Sequence, residues 1–559
     1  MQTNQPTTLN AADVPIQATS PSNSDQSPAE PHAPRPMEFL RVPNEQAAKP
    51  AKPFVHVPSG TTTITESARQ LFTAIAPRNE LFNRGDLVVR MSDEDGRKVV
   101  RPLDDTAAQS CFEKFVIFQK RAKIGDNWYL SDTVITKAVA SQYLKSDECR
   151  TLLPRLNGVV NCPVLMERDG SIHQVNSGYD AVTGLFVANQ IAVPKVELAE
   201  AVRRLSSLLD EFDFKTPADR ARALMSMLTP ALKFGGFLKG SIPVEVAEAN
   251  LSQSGKSYRQ QLVAAIYHEK VAVATKRVGG VGSMEETFQS HLAEGRAFVQ
   301  FDNVRGLFNS QFVESFLTAN GPFPVRTPYS SNVNVDPSKH VLFISSNGFE
   351  STKDLANRSS IVRINKRMNH NYRLFNGTDL VTHVYDHYTD YLACVFAVVR
   401  RWFEAGRPRT ADTRHDFKEW CQVGDWIVRN VFAAGSLMDG HEEAKERASN
   451  PNLTFFRNLA VKLEAVGRLN EPLTATNIAE FCAQQNCELP GLSERSKDDP
   501  KERRIQVGRI MKAVLGEGDR REWEGYRVVR AVVPVLTQSN NPDQQTRYTV
   551  SKIECCVVG

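Results

Sequence analysis

Between Ile242 and Ser257 the chain reads Ile-Pro-Val-Glu-Val-Ala-Glu-Ala-Asn-Leu-Ser-Gln-Ser-Gly-Lys-Ser. An apolar run passes into a polar loop, and Gly255-Lys256-Ser257 opens a helical pattern that continues to about His268. A helix start presents unpaired backbone N–H groups, which attract anions and phosphates above all. Gln253, Ser254 and Gly255 would turn their N–H groups toward such an anion. Lys256 would reach the terminal phosphates of a nucleotide, and the Ser257 hydroxyl would complete the shell of a Mg²⁺ ion. The full phosphate-loop pattern has Gly at position 250, where this chain has Asn250. Asn is among the few residues that tolerate a left-handed backbone.

Three further segments follow in an order that suits the same chemistry. Arg296-Ala-Phe-Val-Gln-Phe-Asp-Asn303 is an apolar run ending in a carboxylate, and Asp302 would hold the Mg²⁺ shell beside Ser257. His340-Val-Leu-Phe-Ile-Ser-Ser-Asn347 ends in an amide that would orient the attacking water near the terminal phosphate. Asp354-Leu-Ala-Asn-Arg-Ser-Ser360 then presents Arg358 on a turn or helix.

These side chains need a scaffold, and the pattern around them supplies one. Short apolar runs at 242–247, 271–275, 297–301, 341–345 and 361–364 alternate with amphipathic segments. Buried parallel strands with intervening helices read this way. Upstream, 218–228 has helical spacing with Thr216 or Asp219 as its cap. Downstream, 371–465 reads as wholly helical.

With these motifs in order, residues 150 to 559 resemble the AAA+ helicase modules of phage, plasmid and integrated-element replication proteins, the superfamily 3 and poxvirus-type primase-helicase group. Leu153-Pro-Arg-Leu-Asn-Gly-Val-Val160 and Ser177-Gly-Tyr-Asp-Ala-Val-Thr-Gly-Leu185 look like the segments that lead into that module. The turn carrying Arg358 is similar to its arginine motif, of which only the second arginine is kept. Phe417-Lys-Glu-Trp-Cys-Gln-Val-Gly-Asp-Trp426 resembles its helical-domain signature. The resemblance implies an ATPase that uses ATP and Mg²⁺ and moves along single-stranded or forked DNA as a homo-oligomeric ring, a hexamer by expectation. Asn347 would sense the terminal phosphate, and Arg358 would reach into a neighbouring subunit's nucleotide.

Two departures bear on turnover. Gln253 stands where the group usually has Gly. Asn303 stands where many relatives place a catalytic Glu, and an amide cannot accept a proton as a carboxylate does. Glu248 before the loop or Glu314 on the next helix would have to serve instead. An ATP-binding replication-initiation factor without turnover, or a P-loop regulator of phage defence, are the alternative readings.

Nucleic-acid contacts are expected in two places. Phe323-Pro-Val-Arg-Thr-Pro-Tyr-Ser-Ser-Asn-Val-Asn-Val335 lies where the helicases it resembles carry a pore hairpin. Arg326 and Tyr329 there, with Lys339 just beyond, suit phosphate contact and base stacking. Residues 501–530 carry nine Lys or Arg against five acids. A helix from Arg503 to Leu515, then a turn and a strand pair, resembles a winged helix whose Arg509, Lys512, Arg520 and Arg521 would meet phosphates.

Composition bounds the rest. A 559-residue chain is long enough for three or four domains, and its net charge of +4 confines any nucleic-acid surface to local patches. The longest apolar run, 391–399, is far short of the ~18 residues that span a bilayer. The first thirty residues lack Lys, Arg and an apolar core, so no secretory signal is expected. Nine scattered cysteines suit a reduced cytoplasmic protein. Eleven of the thirty prolines fall in the first sixty residues, with only two aromatics, which is the composition of a disordered tail. The expected layout is a tail over 1–60, an α+β domain over 61–218, an α/β AAA+ P-loop core over 219–370, a helical lid over 371–465 and a winged helix over 466–559.

Overall fold

The centre of the molecule follows from five short apolar runs, most of them buried on both faces along nearly their whole length. In the computed structural model these become the parallel strands Val244–Ala249, Ala272–Ala274, Phe298–Val304, Val341–Ser346 and Ser359–Asn365. The structure describes residues 52–60, 62–85, 87–94, 96–124, 127–249, 251, 253–275, 282–326, 333–367, 372–375, 377–492, 496–536 and 542–553. The chain divides into Met1–Ala51, outside that range together with most of the expected tail, and Lys52–Gly559.

Across the sheet the strands run 359–365, 244–249, 341–346, 298–304, 272–274, with the short Asp213–Phe214 antiparallel on the first edge. Alternate residues feed two cores. Phe298, Val341, Phe343, Val362 and Ile364 face the layer that holds helices Pro217–Phe234, Lys256–Ile266 and Tyr388–Glu404. Val244, Val246, Val299, Phe301, Leu342 and Ile344 face helices Met284–Ala293 and Gln311–Thr318. Helices therefore cover both faces, as a parallel sheet requires.

Thr216 caps Pro217–Phe234 by accepting from the Asp219 N–H, and the helix is buried nearly all round. The helices of 380–438 share its core rather than building one of their own. Further on, Pro451–Ala465 sends Leu453, Phe456, Leu459 and Leu463 into a separate C-terminal core. That core holds helices Ala475–Gln484 and Pro500–Leu515 against an antiparallel sheet ordered Pro472–Leu473, Pro542–Lys552, Tyr526–Leu536, Arg520–Trp523. Residues 55–153 form another core around Phe72, Phe112 and Tyr143, with the hairpin Leu87–Glu94 and Arg97–Pro102 beside it. Among the described residues no helix is long and apolar enough to cross a membrane.

Candidate functional site

The connection after Val244–Ala249 crosses to the far edge of the sheet, and the chain later returns to place 341–346 and 359–365 on either side of that strand. In open parallel sheets, ligands bind beyond the carboxyl ends of the strands at such a reversal. Lys256, Ser257, Asp302 and Asn347 all lie at that end.

Gly255 caps helix Lys256–Ile266 in a left-handed conformation, φ +90°. A Cβ there would sit 2.2 Å from the Tyr372 hydroxyl, so glycine is required by both torsion and space. Gln253 also has φ +58°, the strain expected where a side chain replaces the usual glycine. Asn250 lies outside the described residues.

The Lys256 ammonium donates to Asn347 Oδ1 at 2.6 Å and lies 3.4 Å from Ser254 Oγ. Burial pulls its pKa down, opposed by the Asp302 and Glu248 carboxylates. Ser257 Oγ donates to Asp302 Oδ1 at 2.7 Å, and Ser345 Oγ donates to the same oxygen at 2.6 Å. Ser345 in turn accepts from the Asn303 N–H at 2.8 Å. Asn303 occupies an irregularity between Phe301 and Val304, with φ +52°. Two hydroxyls thus meet on the Asp302 carboxylate beside an ammonium held on the Asn347 amide. The Ser257 and Asp302 oxygens are the groups that could face a hard divalent cation, and the ammonium the one that could face a phosphate.

What fixes this cluster is a ladder of buried polar groups that sequence reading passed over. Glu245 pairs with Arg259, and Gln260 Nε2 donates to Glu245 Oε1 at 3.0 Å and to the Ile344 carbonyl at 3.1 Å. Gln300 Nε2 then donates to Gln260 Oε1 at 2.7 Å. Charged and amide residues inside apolar strands, Glu245 and Gln300, were the available signal, because buried polar groups need partners. Ser345 was missed in the same way.

The two carboxylates considered as bases are both engaged. Glu248 forms a bidentate pair with Arg447 and accepts from the Phe349 N–H at 3.3 Å. Glu314 accepts from the Thr352 hydroxyl. Arg358 follows the short helix Lys353–Asn357, 4.0 Å from Asp354 and 3.4 Å from the Glu314 carbonyl.

Of the expected DNA contacts, Lys339 needs correction, while Arg520 and Arg521 lie at the surface in ion pairs within the chain. Lys339 is 7% exposed, in a tight turn over Pro337–Lys339, and its stem fills the space above Gly158. Burial lowers its pKa, so it is no strand-gripping surface cation. Arg520 pairs with Glu522, its same-face neighbour two residues on. Arg521 pairs with Glu446 at 2.7 Å, so it points at an acid of this chain. Arg509 and Lys512 do stand exposed on helix Pro500–Leu515, with no ion pair to another described residue. Arg326 is exposed at the end of Phe323–Val325, which pairs with Val333–Val335, and Tyr329 lies outside the described residues.

No family model matches the chain, and no curated protein matches it. Among solved structures it is similar to the A form apo structure of the NrS-1 C terminal region, at 12% identity over 86% of this chain and 98% of that one, TM-score 0.34. It is also similar to SCCmec type IV Cch, described as an active helicase, at 12% identity over 81% of this chain and 84% of that one, TM-score 0.30.

Proposed function

We propose that the chain is an ATP- and Mg²⁺-dependent DNA translocase or helicase of a mobile element or phage, working as a homo-oligomeric, hexameric ring. One observation carries the reading: Lys256, Ser257, Asp302, Ser345 and Asn347 interlock at the carboxyl ends of three adjacent parallel strands, beside a left-handed glycine that opens a helix. Lys256 would leave Asn347 for the terminal phosphates, and Ser257 and Asp302 would hold the Mg²⁺. Gln253, Ser254 and Gly255 would offer backbone N–H groups, and Asn347 would then hold water against the terminal phosphate. Arg358 would act on a neighbouring subunit's nucleotide. The C-terminal unit would dock on DNA as a winged helix through Arg509 and Lys512, with Arg326 inside the ring.

A second reading, ATP binding that drives assembly without turnover, is favoured by the engagement of Glu248 with Arg447 and of Glu314 with Thr352. With Asn303 at the usual position of a base, no carboxylate among these candidates is left to accept the water's proton. ATP hydrolysis by the purified chain, with and without single-stranded DNA, separates the two. DNA-stimulated turnover that Lys256→Ala abolishes supports the motor. ATP-dependent assembly with no turnover supports the second reading, and absence of nucleotide binding rejects both.

A further inference from the structure

Glu524 and Gly525 make a two-residue hairpin turn between Arg520–Trp523 and Tyr526–Leu536, both with positive φ, +46° and +85°. Asn, Asp and Gly are the usual residues of such a turn, and a Glu held there is strained. Its carboxylate nevertheless reaches away from its own sheet into a cluster of cations. Lys215 lies 3.0 Å from it, Arg447 3.2 Å and Arg363 3.7 Å, and Arg457 is in direct contact.

The charges do not balance. Arg363 and Arg222 share Asp219, and Arg447 also pairs with Glu248, so in the ion pairs among the described residues here five cations face three carboxylates, with Asp439 acting on Arg222 from further off. Four of the five converge on Glu524 alone. Arg363 and Arg447 are more than nine-tenths buried, and Arg447 Nε has no hydrogen-bond acceptor although Glu524 is near. Burial would raise the Glu524 carboxyl, yet Arg447, Lys215 and Arg457 hold it below the usual carboxylate range. Burial lowers the Lys215 ammonium; Glu524 opposes this, and the Arg457 and Arg363 charges add a smaller push in the same direction as burial. A structural ion pair needs one cation, or two. An excess this large, in a cavity of about 50 Å³ bordered by Ala249, Asn347 and Gly348, suits a group with more charge and more acceptor oxygens than a carboxylate.

We propose that Lys215, Arg363, Arg447 and Arg457 form a second anion site, for a phosphate group, which the Glu524 carboxylate fills as a tethered stand-in. The ligand is a phosphate ester, carried either by a nucleotide or by a nucleic-acid backbone. Withdrawal of the Glu524 hairpin opens the site, and phosphate binding keeps the hairpin out. None of the four cations belongs to the phosphate loop, but Asn347 borders this cavity and also accepts from Lys256, so the test is made with the loop lysine removed.

The test uses the full chain carrying Lys256→Ala, with and without Glu524→Gln, in thermal unfolding against sodium phosphate at fixed ionic strength. Lys256→Ala alone should respond no more to phosphate than to chloride, because the tethered carboxylate competes at very high local concentration. Adding Glu524→Gln should give a saturable rise in Tm of a few degrees, the signature of a ligand bound only to the folded state. Adding Arg457→Ala should remove that rise. Repeating the series with ADP and with an oligodeoxynucleotide lacking terminal phosphates assigns the source to whichever saturates at the lower concentration. If Glu524→Gln does not fold, Glu524→Gly deletes the carboxylate while relieving the turn, and the same response is expected. A folded variant of either kind with no phosphate response beyond chloride overturns the proposal and leaves Glu524 as a structural ion-pair partner.

Discussion

The Lys256 ammonium donates to Asn347 Oδ1 at 2.6 Å, across 91 residues of sequence, so the two strand ends are joined before any ligand arrives. Asn347 therefore keeps a buried cation satisfied at the point where, on the proposed reading, a phosphate would take over. Asn347→Ala should cost about 1 kcal/mol of stability in the free chain, since Ser254 Oγ and the Leu251 carbonyl remain near the ammonium. Lys256→Ala should leave the helix intact, because Ala is the strongest helix former. Nucleotide affinity should fall about 10- to 100-fold with it, the worth of one charge-assisted hydrogen bond. Calorimetric titration of both variants checks this, and an unchanged affinity in folded Lys256→Ala removes the loop from consideration.

Gly255→Ala should damage the site in two separable ways. The left-handed torsion costs about 1 kcal/mol for any residue with a Cβ. The new methyl also meets the Tyr372 hydroxyl at 2.2 Å and the Phe212 ring at 3.2 Å. Adding Tyr372→Phe should recover part of the steric loss and none of the torsional one. A double-mutant cycle on Tm reads the coupling, and strict additivity of the two changes would show that Tyr372 does not crowd Gly255.

Stability should fall with acid over a defined window. Burial pushes both His340 and His415 down to about 4. The His415 Nδ1 accepts from the Phe417 N–H at 3.0 Å, so a second ring proton has no place to go. The unfolded chain takes up these protons near pH 6.5 and the folded chain does not, so their contribution is full above that pH. It is lost as pH falls toward 4, by up to about 3 kcal/mol for each histidine. His415→Asn, which keeps an acceptor for Phe417 but cannot be protonated, should flatten the slope of stability against pH. An unaltered slope would assign the acid sensitivity elsewhere.

The exposed basic residues of the C-terminal helix give a prediction in salt. Arg509→Ala with Lys512→Ala should reduce the slope of log affinity for DNA against log salt by up to about two units, because each lost phosphate contact retains its counterions. Arg520→Ala with Arg521→Ala should change it far less, since Glu522 and Glu446 already engage those guanidiniums. Equal effects of the two pairs would mean that DNA breaks both internal ion pairs.

What could be read from the chain was what short-range spacing encodes. The five strand runs, the helix start at Lys256 and the polar residues at strand ends are local patterns, and the sheet brings Lys256, Ser257, Asp302 and Asn347 together. The ion pairs that hold the frame were not readable. Glu248 and Arg447 are 199 residues apart, and nothing in the spacing of either names the other. Lys339 was misplaced for a related reason. A lysine between polar residues looks solvated until the missing side chain of Gly158, far upstream, provides the hole that receives its stem.

The ladder from Glu245 through Gln260 to Gln300 has a mechanical consequence. Sliding helix Lys256–Ile266 by one turn, about 5.4 Å, would break every rung at once and strand the Glu245 charge in the core. The helix cannot act as a piston. Its Lys256 end and the strands that carry Gln300 and Ile344 are therefore held in one register, so a shift of the loop would have to carry strands and helix together.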